Sequence, residues 1–389
     1  MHIGIVSPVS TAHLSEYLYL TGNEPAGTEG TTAPNLLIIE LLNRGYKISV
    51  FSLSREITRE YVINGKNITI YYLPFRLRAR NYTLDFYRKE RQYLKNKIQE
   101  VKPDVLHAHW QYENAWAAVD SGIRTIVTCR DSPVKVFLLN RKLFWFIRLV
   151  VAYIVLKKAK IITATSAYLS DELKKFGVRE AIEIIPNFEP DWLFSKPILN
   201  KDLRYPKIIM INNGFDNRKN VKVAIEAFQL LRIDFPLAEL HLYGHSYEPD
   251  GEANIWASSQ CLNENVYYKG YGPFLELMDE LRTFTMLVHP SREETFGNIL
   301  TESMALGVPV IGGINSGAVP WVIGTEQKGG LLVDINSKFE ICTAMANLIS
   351  SQHTYEQYSF YARKQAQDNF SVEKVIELYT ELYAREVGT

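Results

Sequence analysis

Cysteine is scarce. Only Cys129, Cys261 and Cys342 occur in 389 residues, far apart. They offer neither a disulfide framework nor the paired spacing of a zinc site, so a stapled secreted domain is excluded and a reducing compartment is expected. The first residues, MHIGIVSPVS, lack the basic start and long apolar core of a secretory signal; they read as a strand, and the expected location is cytoplasmic. A membrane-spanning length is missing too. The apolar run Leu143 to Leu156 has fourteen residues and contains Arg148, which is too short to cross a bilayer. Acidic residues are absent between Ser132 and Ser170, where Lys135, Arg141, Lys142, Arg148, Lys157, Lys158 and Lys160 fall. Two readings of that segment stay open: a core helix, or a basic and aromatic surface over 135–160 resting on anionic lipid at the inner face of the membrane. Strict internal repeats are absent, and no nucleic-acid partner is expected.

What is present points to an enzyme-sized α/β protein. The length exceeds one ordinary hydrophobic core, so two domains are expected. The apolar fraction of 47% allows both to be well filled. The 43 basic and 43 acidic side chains cancel, but residues 1–195 carry 26 Lys and Arg against 19 Asp and Glu, and the remainder 17 against 24. That asymmetry suggests an anionic surface or partner for the first half, or unrelated surface choices in two domains.

Along the chain, strands and helices alternate as in parallel sheets. Ile3 to Ser7 reads as a strand, Pro34 to Arg44 as a helix stopped by Gly45, and Ile48 to Phe51 as a strand. The link between the first strand and helix holds Gly22, Gly27 and Gly30 and reads as a flexible loop at the carboxyl end of the strand. It lacks the G-x-G-x-x-G fingerprint. Arg76, Arg78 and Arg80 alternate and suggest one solvated edge. Strands at 104–107 and 125–129 deliver His109, Arg130 and Asp131 to a rim where open α/β sheets bind ligands. Phe188 to Tyr205, rich in proline, reads as a linker. A second α/β series follows, with strands near 207–211, 239–243 and 266–269 and helices at 221–231 and 274–283.

Leu287 to Gly313, LVHPSREETFGNILTESMALGVPVIGG, carries the chemistry. Two apolar runs bracket a loop and a helix-patterned segment from Asn298. Gly297 lets the backbone approach a ligand. The N–H groups that follow lack helical partners, so the helix start is a natural anion site. Glu294 lies on the loop and Glu302 one turn into the helix. Two carboxylates and an anion-binding helix end together suit a sugar nucleotide.

The chain resembles the retaining glycosyltransferases of family 4, which have the GT-B fold, over nearly its whole length. The residues that carry the resemblance are the E-x7-E pair Glu294 and Glu302 within P-S-x-x-E-x-F-G (Pro290, Ser291, Glu294, Phe296, Gly297) and Gly307 to Ile311. D-V-L-H-A-H (Asp104 to His109), I-I-P-N (Ile184 to Asn187), Lys219 in R-K-N-V, Tyr243 with Gly244, and Asn265 to Gly270 add to it.

The resemblance implies two doubly wound Rossmann-like domains facing across a cleft. Residues 1–190 would bind the acceptor, 191–205 would link, 206–365 would bind the nucleotide sugar, and a helix in 366–389 would pack back on the first domain. Glu294 would hold hydroxyls of the donor sugar with backbone groups at Phe296, Gly297 and Asn298, and Glu302 the ribose. Lys219 and Arg218 would meet the diphosphate, Gly30, Gly214 and Gly244 would border the donor, and backbone near Tyr271 would read the base. His109 joins the catalytic set, with Arg130 and Asp131 on the acceptor side. No metal and no cofactor beyond the donor is implied, and no D-x-D stands in a suitable loop. The donor would be a UDP-, GDP- or ADP-sugar, UDP favoured. The acceptor would be a hydroxyl of a glycan or lipid-linked molecule, as in polysaccharide biosynthesis.

Three positions depart from the family pattern. Phe215, not arginine, follows Gly214; Cys129 and Arg130 stand where a histidine is usual; and Ser316 to Trp321 keeps the glycine and proline of a G-G-x-P-E turn without its glutamate. A non-catalytic relative that binds a sugar nucleotide or a partner glycosyltransferase therefore remains the alternative. Trp321 reads as a packing residue or a sugar platform.

Overall fold

A computed structural model of the chain describes residues 1–28, 31–324 and 329–388. Gly30 therefore lies outside the described residues. The chain forms two units, Met1–Pro186 with the stretch from Val375 onward, and Asn187–Lys374.

The first unit is built on eight strands: β1 (His2–Val6), β2 (Lys47–Ser54), β3 (Tyr61–Asn64), β4 (Ile68–Pro74), β5 (Val105–His109), β6 (Thr125–Cys129), β7 (Ile161–Ala164) and β8 (Ile182–Ile184). Their order is β3-β4-β2-β1-β5-β6-β7-β8. All neighbours run parallel except β3, which turns back on β4. The second unit has β9 (Lys207–Ile211), β10 (Glu239–Tyr243), β11 (Val266–Gly270), β12 (Met286–His289), β13 (Val310–Gly313) and β14 (Gly330–Val333), in the wholly parallel order β11-β10-β9-β12-β13-β14. Helices cover parallel sheets on both faces, which is why these strands are continuous apolar runs such as Ile208–Met210 rather than alternating ones. In each sheet the strand order reverses beside one strand, β1 in the first and β9 in the second. Ligands of open α/β sheets bind at the carboxyl ends there.

Local signals explain many of the boundaries. The helix Thr32–Asn43 ends because Gly45 takes φ +81°, letting the N–H groups of Gly45 and Tyr46 reach the carbonyls of Leu42 and Leu41. The loop before it, read as flexible, is tied down as far as Thr28. Thr11 N–H bonds Ala26 O, Thr28 N–H bonds Val9 O, and the Glu56 carboxylate accepts the N–H groups of Ala26 and Gly27. Arg76 departs from the solvated-edge reading. Its guanidinium forks onto Asp85 at 2.7 Å and onto the wholly buried Glu90 at 2.6 Å.

The 191–205 linker also differs from expectation. Asp191–Ser195 is a short helix whose Leu193 is buried in the second unit's core, and the units divide earlier, after Pro186. At the far end Gln352–Phe370 is one helix and Val372–Val387 another, and the chain returns to the first unit at Val375, not 366.

The apolar segment is a helix, Leu143–Lys158, preceded by Pro133–Asn140 with Ser132 as N-cap. Ile147, Val151, Ala152, Val155 and Leu156 enter the core, while Leu143, Phe146 and Tyr153 stay exposed. Among the described residues no helix is long and apolar enough to cross a membrane.

Candidate functional site

In the second unit, functional groups gather at the carboxyl ends of β9 and β12, beside the switch in strand order. Gly297 sits at the N-cap of the helix Asn298–Ala305 with φ +87°. That left-handed conformation is cheap only for glycine. A Cβ there would come within 3.0 Å of Leu300 Cδ1. The N–H groups of Phe296, Gly297 and Asn298 donate to nothing among the described residues, so three donors point out of the helix start.

Beside them Glu294 is largely buried and ion-paired. Lys219 Nζ lies 2.7 Å from its Oε1 and also reaches Ser291 Oγ at 3.4 Å. Ser291 in turn bonds Asn212. His289 Nε2, at the end of β12, stands 3.4 Å from the same Glu294 oxygen, close enough for charge but not aligned for a hydrogen bond. Burial alone would raise the Glu294 carboxyl; Lys219 and then His289 outweigh it and hold it well below the usual carboxylate range. Glu294 is thus an ionised acceptor whose two recorded contacts both run to Oε1. Its backbone carbonyl takes the N–H of Ala318, fixing the loop against the segment that replaces the family turn.

Arg218 contributes its backbone carbonyl to Arg292 N–H, while its guanidinium forms no hydrogen bond or ion pair among the described residues. Lys219 thus puts one cation on the loop that carries Gly297, and Arg218 adjoins it in sequence with an uncommitted side chain. Phe215, in the arginine's usual place, packs against Tyr247 and Trp256. Gly214 and Gly244 serve a close crossing of strand-end loops. Gly214 N–H bonds His245 O, and a Cβ on Gly244 would lie 1.8 Å from Asn212 O. Tyr271 is exposed and stacks on His245, the rings 4° from parallel and 5.1 Å apart.

Glu302 is not in the same set of contacts as Glu294. It is buried beside a second buried carboxyl, Glu189, whose Oε1 accepts the Thr301 hydroxyl at 2.6 Å. Burial lifts Glu302 to about 7. Burial and then the charge of Glu302 push Glu189 well above the ordinary range. Asn298, next to the helix start, accepts from Asn187 Nδ2 at 2.7 Å.

In the first unit His109, Arg130 and Asp131 do end adjacent strands, but His109 is wholly buried. Its Nδ1 accepts from Arg130 at 3.0 Å, and its Nε2 has no partner. Burial, then His107 and Arg130, hold its basicity well below an ordinary histidine, so it stays neutral. Asp131 is pinned by Gln111 Nε2 at 2.7 Å and Tyr112 OH at 2.6 Å. Trp321 packs on Phe296 and Phe370, the behaviour of a packing residue.

Sequence reasoning passed over His289, Asn212 and Glu189, and named Ser291 as part of a motif without a role. His289 ends a parallel strand, the same signal that singled out His109. Glu189 had no local signal, because its partner Thr301 stands in a helix far along the chain.

Comparisons with known proteins agree on one family. Residues 194–365 match the family model of glycosyl transferases group 1, and residues 36–188 that of Glycosyltransferase Family 4. N-acetyl-alpha-D-glucosaminyl L-malate synthase of Bacillus anthracis is 24% identical over 313 residues, 75% of this chain and 78% of that protein. D-inositol 3-phosphate glycosyltransferase 1 of Catenulispora acidiphila is 32% identical over 114 residues, 26% of this chain and 27% of that one. Among solved structures, sucrose-phosphate synthase from Thermosynechococcus elongatus shares the fold with a TM-score of 0.78 at 18% identity, covering 99% of this chain and 98% of that one. Anabaena HepE in complex with UDP does so at 0.70 and 16%, covering 99% and 100%. The two matched segments take in most of the sequence and every strand but β1, and the chain belongs to glycosyltransferase family 4, with the GT-B fold.

Proposed function

We propose that the protein transfers a hexosyl or N-acetylhexosaminyl group from a nucleoside-diphosphate sugar, UDP-linked, to an acceptor hydroxyl with retention of configuration. The observation that carries this reading is the Lys219–Glu294 pair at 2.7 Å beside three undonated N–H groups at the Gly297 helix start. The diphosphate takes the N–H groups together with Lys219 and Arg218, cations that offset charge building on the leaving group without a metal. Glu294, kept ionised, accepts sugar hydroxyls and is not a nucleophile. The bond from the anomeric carbon to the phosphate oxygen breaks, and the acceptor oxygen bonds on the same face. The acceptor proton passes to the departing phosphate oxygen. The UDP found with Anabaena HepE supports the choice of nucleotide.

Lys219→Met and Glu294→Gln are expected to slow transfer by about 10²–10³-fold. The tests are nucleoside diphosphate release across UDP-, GDP- and ADP-sugars, product anomer by NMR, and insensitivity to EDTA. An unchanged rate in Glu294→Gln would overturn the assignment. Folded protein that binds UDP but releases none from any donor would favour the non-catalytic reading, to which the packed Phe215 lends its weight.

We further propose that the first unit works at an anionic membrane surface. Leu138, Leu139, Leu143 and Phe146 are exposed around Arg141 and Lys142, with no acidic residue nearby in sequence. Apolar insertion and cationic attraction act together there. Equal sedimentation with neutral and anionic liposomes would refute it.

A further inference from the structure

Two side chains flank the Glu294 carboxylate from different elements. Lys219, from the turn before the helix Val221–Asp234, holds Oε1 at 2.7 Å. His289, the last residue of β12, presents Nε2 to the same oxygen at 3.4 Å. Against burial, which would raise this carboxyl, Lys219 and then His289 hold it down. Arg292, two residues before Glu294, is spent on Asn217 O and Asn336 Oδ1, at 2.8 and 2.9 Å.

The His289 ring has hydrogen-bonding capacity that nothing uses. It is 2% exposed, and neither Nδ1 nor Nε2 has a hydrogen-bond partner among the described residues. Buried ring nitrogens are ordinarily paired, because an unpaired one has given up its bond to water for nothing. A phenylalanine would fill the end of β12 without that loss. Lys219, in contrast, is drawn in two directions. It pairs with Glu294 and reaches Ser291 Oγ at 3.4 Å, and in the proposed function it also meets the donor's diphosphate. A diphosphate carries more negative charge than one carboxylate, so it competes for Nζ as the donor enters. Left without a partner, the buried Glu294 carboxylate would take up a proton or swing to another donor. His289 Nε2 has only about 0.5 Å to close before it stands at an ordinary hydrogen-bond distance.

We propose that His289 is a positioning residue for the transfer: its Nε2–H takes over Glu294 Oε1 as Lys219 turns to the donor's diphosphate, and so holds the carboxylate in place with Oε2 free for the sugar. The arrival of a diphosphate at Lys219 rests on the proposed function; the pairing of His289 with Glu294 does not. NMR of the full chain with labelled histidine tests the pairing without turnover, the His289 signal being assigned by its loss in His289→Gln. Saturation with UDP is expected to move the Nε2 proton of His289 downfield, and Lys219→Met to do the same with no nucleotide present. In kinetics, His289→Phe is expected to lower kcat about 10–100-fold with the donor KM within about threefold, as loss of one charge-assisted hydrogen bond made only with donor bound requires. With less holding the Glu294 carboxyl down, protonation reaches it sooner, and the acid limb of kcat should move to higher pH by about one unit. His289→Gln, whose amide nitrogen reaches the Nε2 position, should recover most of the rate and the wild-type limb. A packing role would change stability and leave that limb where it is. A His289 signal unmoved by both UDP and Lys219→Met, or a His289→Phe variant with wild-type kcat and acid limb, would overturn the inference. Should His289→Phe fail to fold, the NMR comparison decides. UDP that shifts His289 in a protein releasing nucleotide from no donor would support the pairing and overturn the transferase reading instead. Wild-type protein that binds no UDP would remove the donor site, and Lys219→Met would then decide the pairing alone.

Discussion

Glu302→Gln should make the protein less sensitive to rising pH, by an amount the structure sets. The Glu302 carboxyl is ordinarily at 4.5 and is lifted to about 7 by burial beside Glu189. Between those values the unfolded chain has released its proton and the native protein has not. The native state then binds more protons than the unfolded one, and stability falls as pH rises through this window. Above about 7 both states are ionised and the slope vanishes. The gap corresponds to about 3 kcal/mol. Glu294 runs the other way, since its carboxyl is held low and its contribution is lost only in acid. It is common to both proteins and cancels in the comparison. Urea unfolding of wild type and Glu302→Gln at pH 5 and pH 8 should show the variant gaining about 2–3 kcal/mol relative to wild type between the two, since part of the window lies below pH 5. Parallel curves would refute the buried pair as a source of pH dependence.

Two further outcomes follow from the geometry. Gly297→Ala places a Cβ at φ +87° and 3.0 Å from Leu300 Cδ1; it should cost about 1–3 kcal/mol and weaken UDP binding measured by calorimetry, and unchanged affinity would mean that the helix start does not hold phosphate. Tyr383→Phe removes the 2.6 Å bond to His107 Nδ1 and leaves a buried ring nitrogen unpaired, for about 1–3 kcal/mol in thermal or urea unfolding with no change in UDP affinity; a silent substitution would contradict the pairing.

The parallel series was legible because buried strands leave continuous apolar runs and because glycines mark helix ends, Gly45 a stop and Gly297 a start. Residues 55–100 were harder. Strands β3 and β4 are short uncharged runs inside a basic segment, the helix Arg88–Val101 is disguised by charge, and Arg76 looks like a surface arginine until Asp85 and Glu90 are brought onto it. At the candidate site, the loop glycine and the two carboxylates could be read from spacing. The division between them could not. Glu294 is set low by Lys219 and His289, and Glu302 high by burial beside Glu189, and those neighbours come from other strands and from the segment before the Asp191–Ser195 helix. The same limit applied to His109. Its place at a strand end was visible, but the burial that keeps it neutral was not.

The return of the chain to its first unit at Val375 has a consequence for biosynthesis. Strands β1 to β8 leave the ribosome early, but His107 and Arg124 must wait for Tyr383 and Glu386 from the last helix. The whole of Asn187–Lys374 is translated in between, roughly 10 to 40 s at 5–20 residues per second. The unit that begins the chain is therefore the one completed last. Throughout that interval the nascent protein leaves the surface that Tyr383 and Glu386 will cover open, a surface a chaperone would recognise before the finished protein exists.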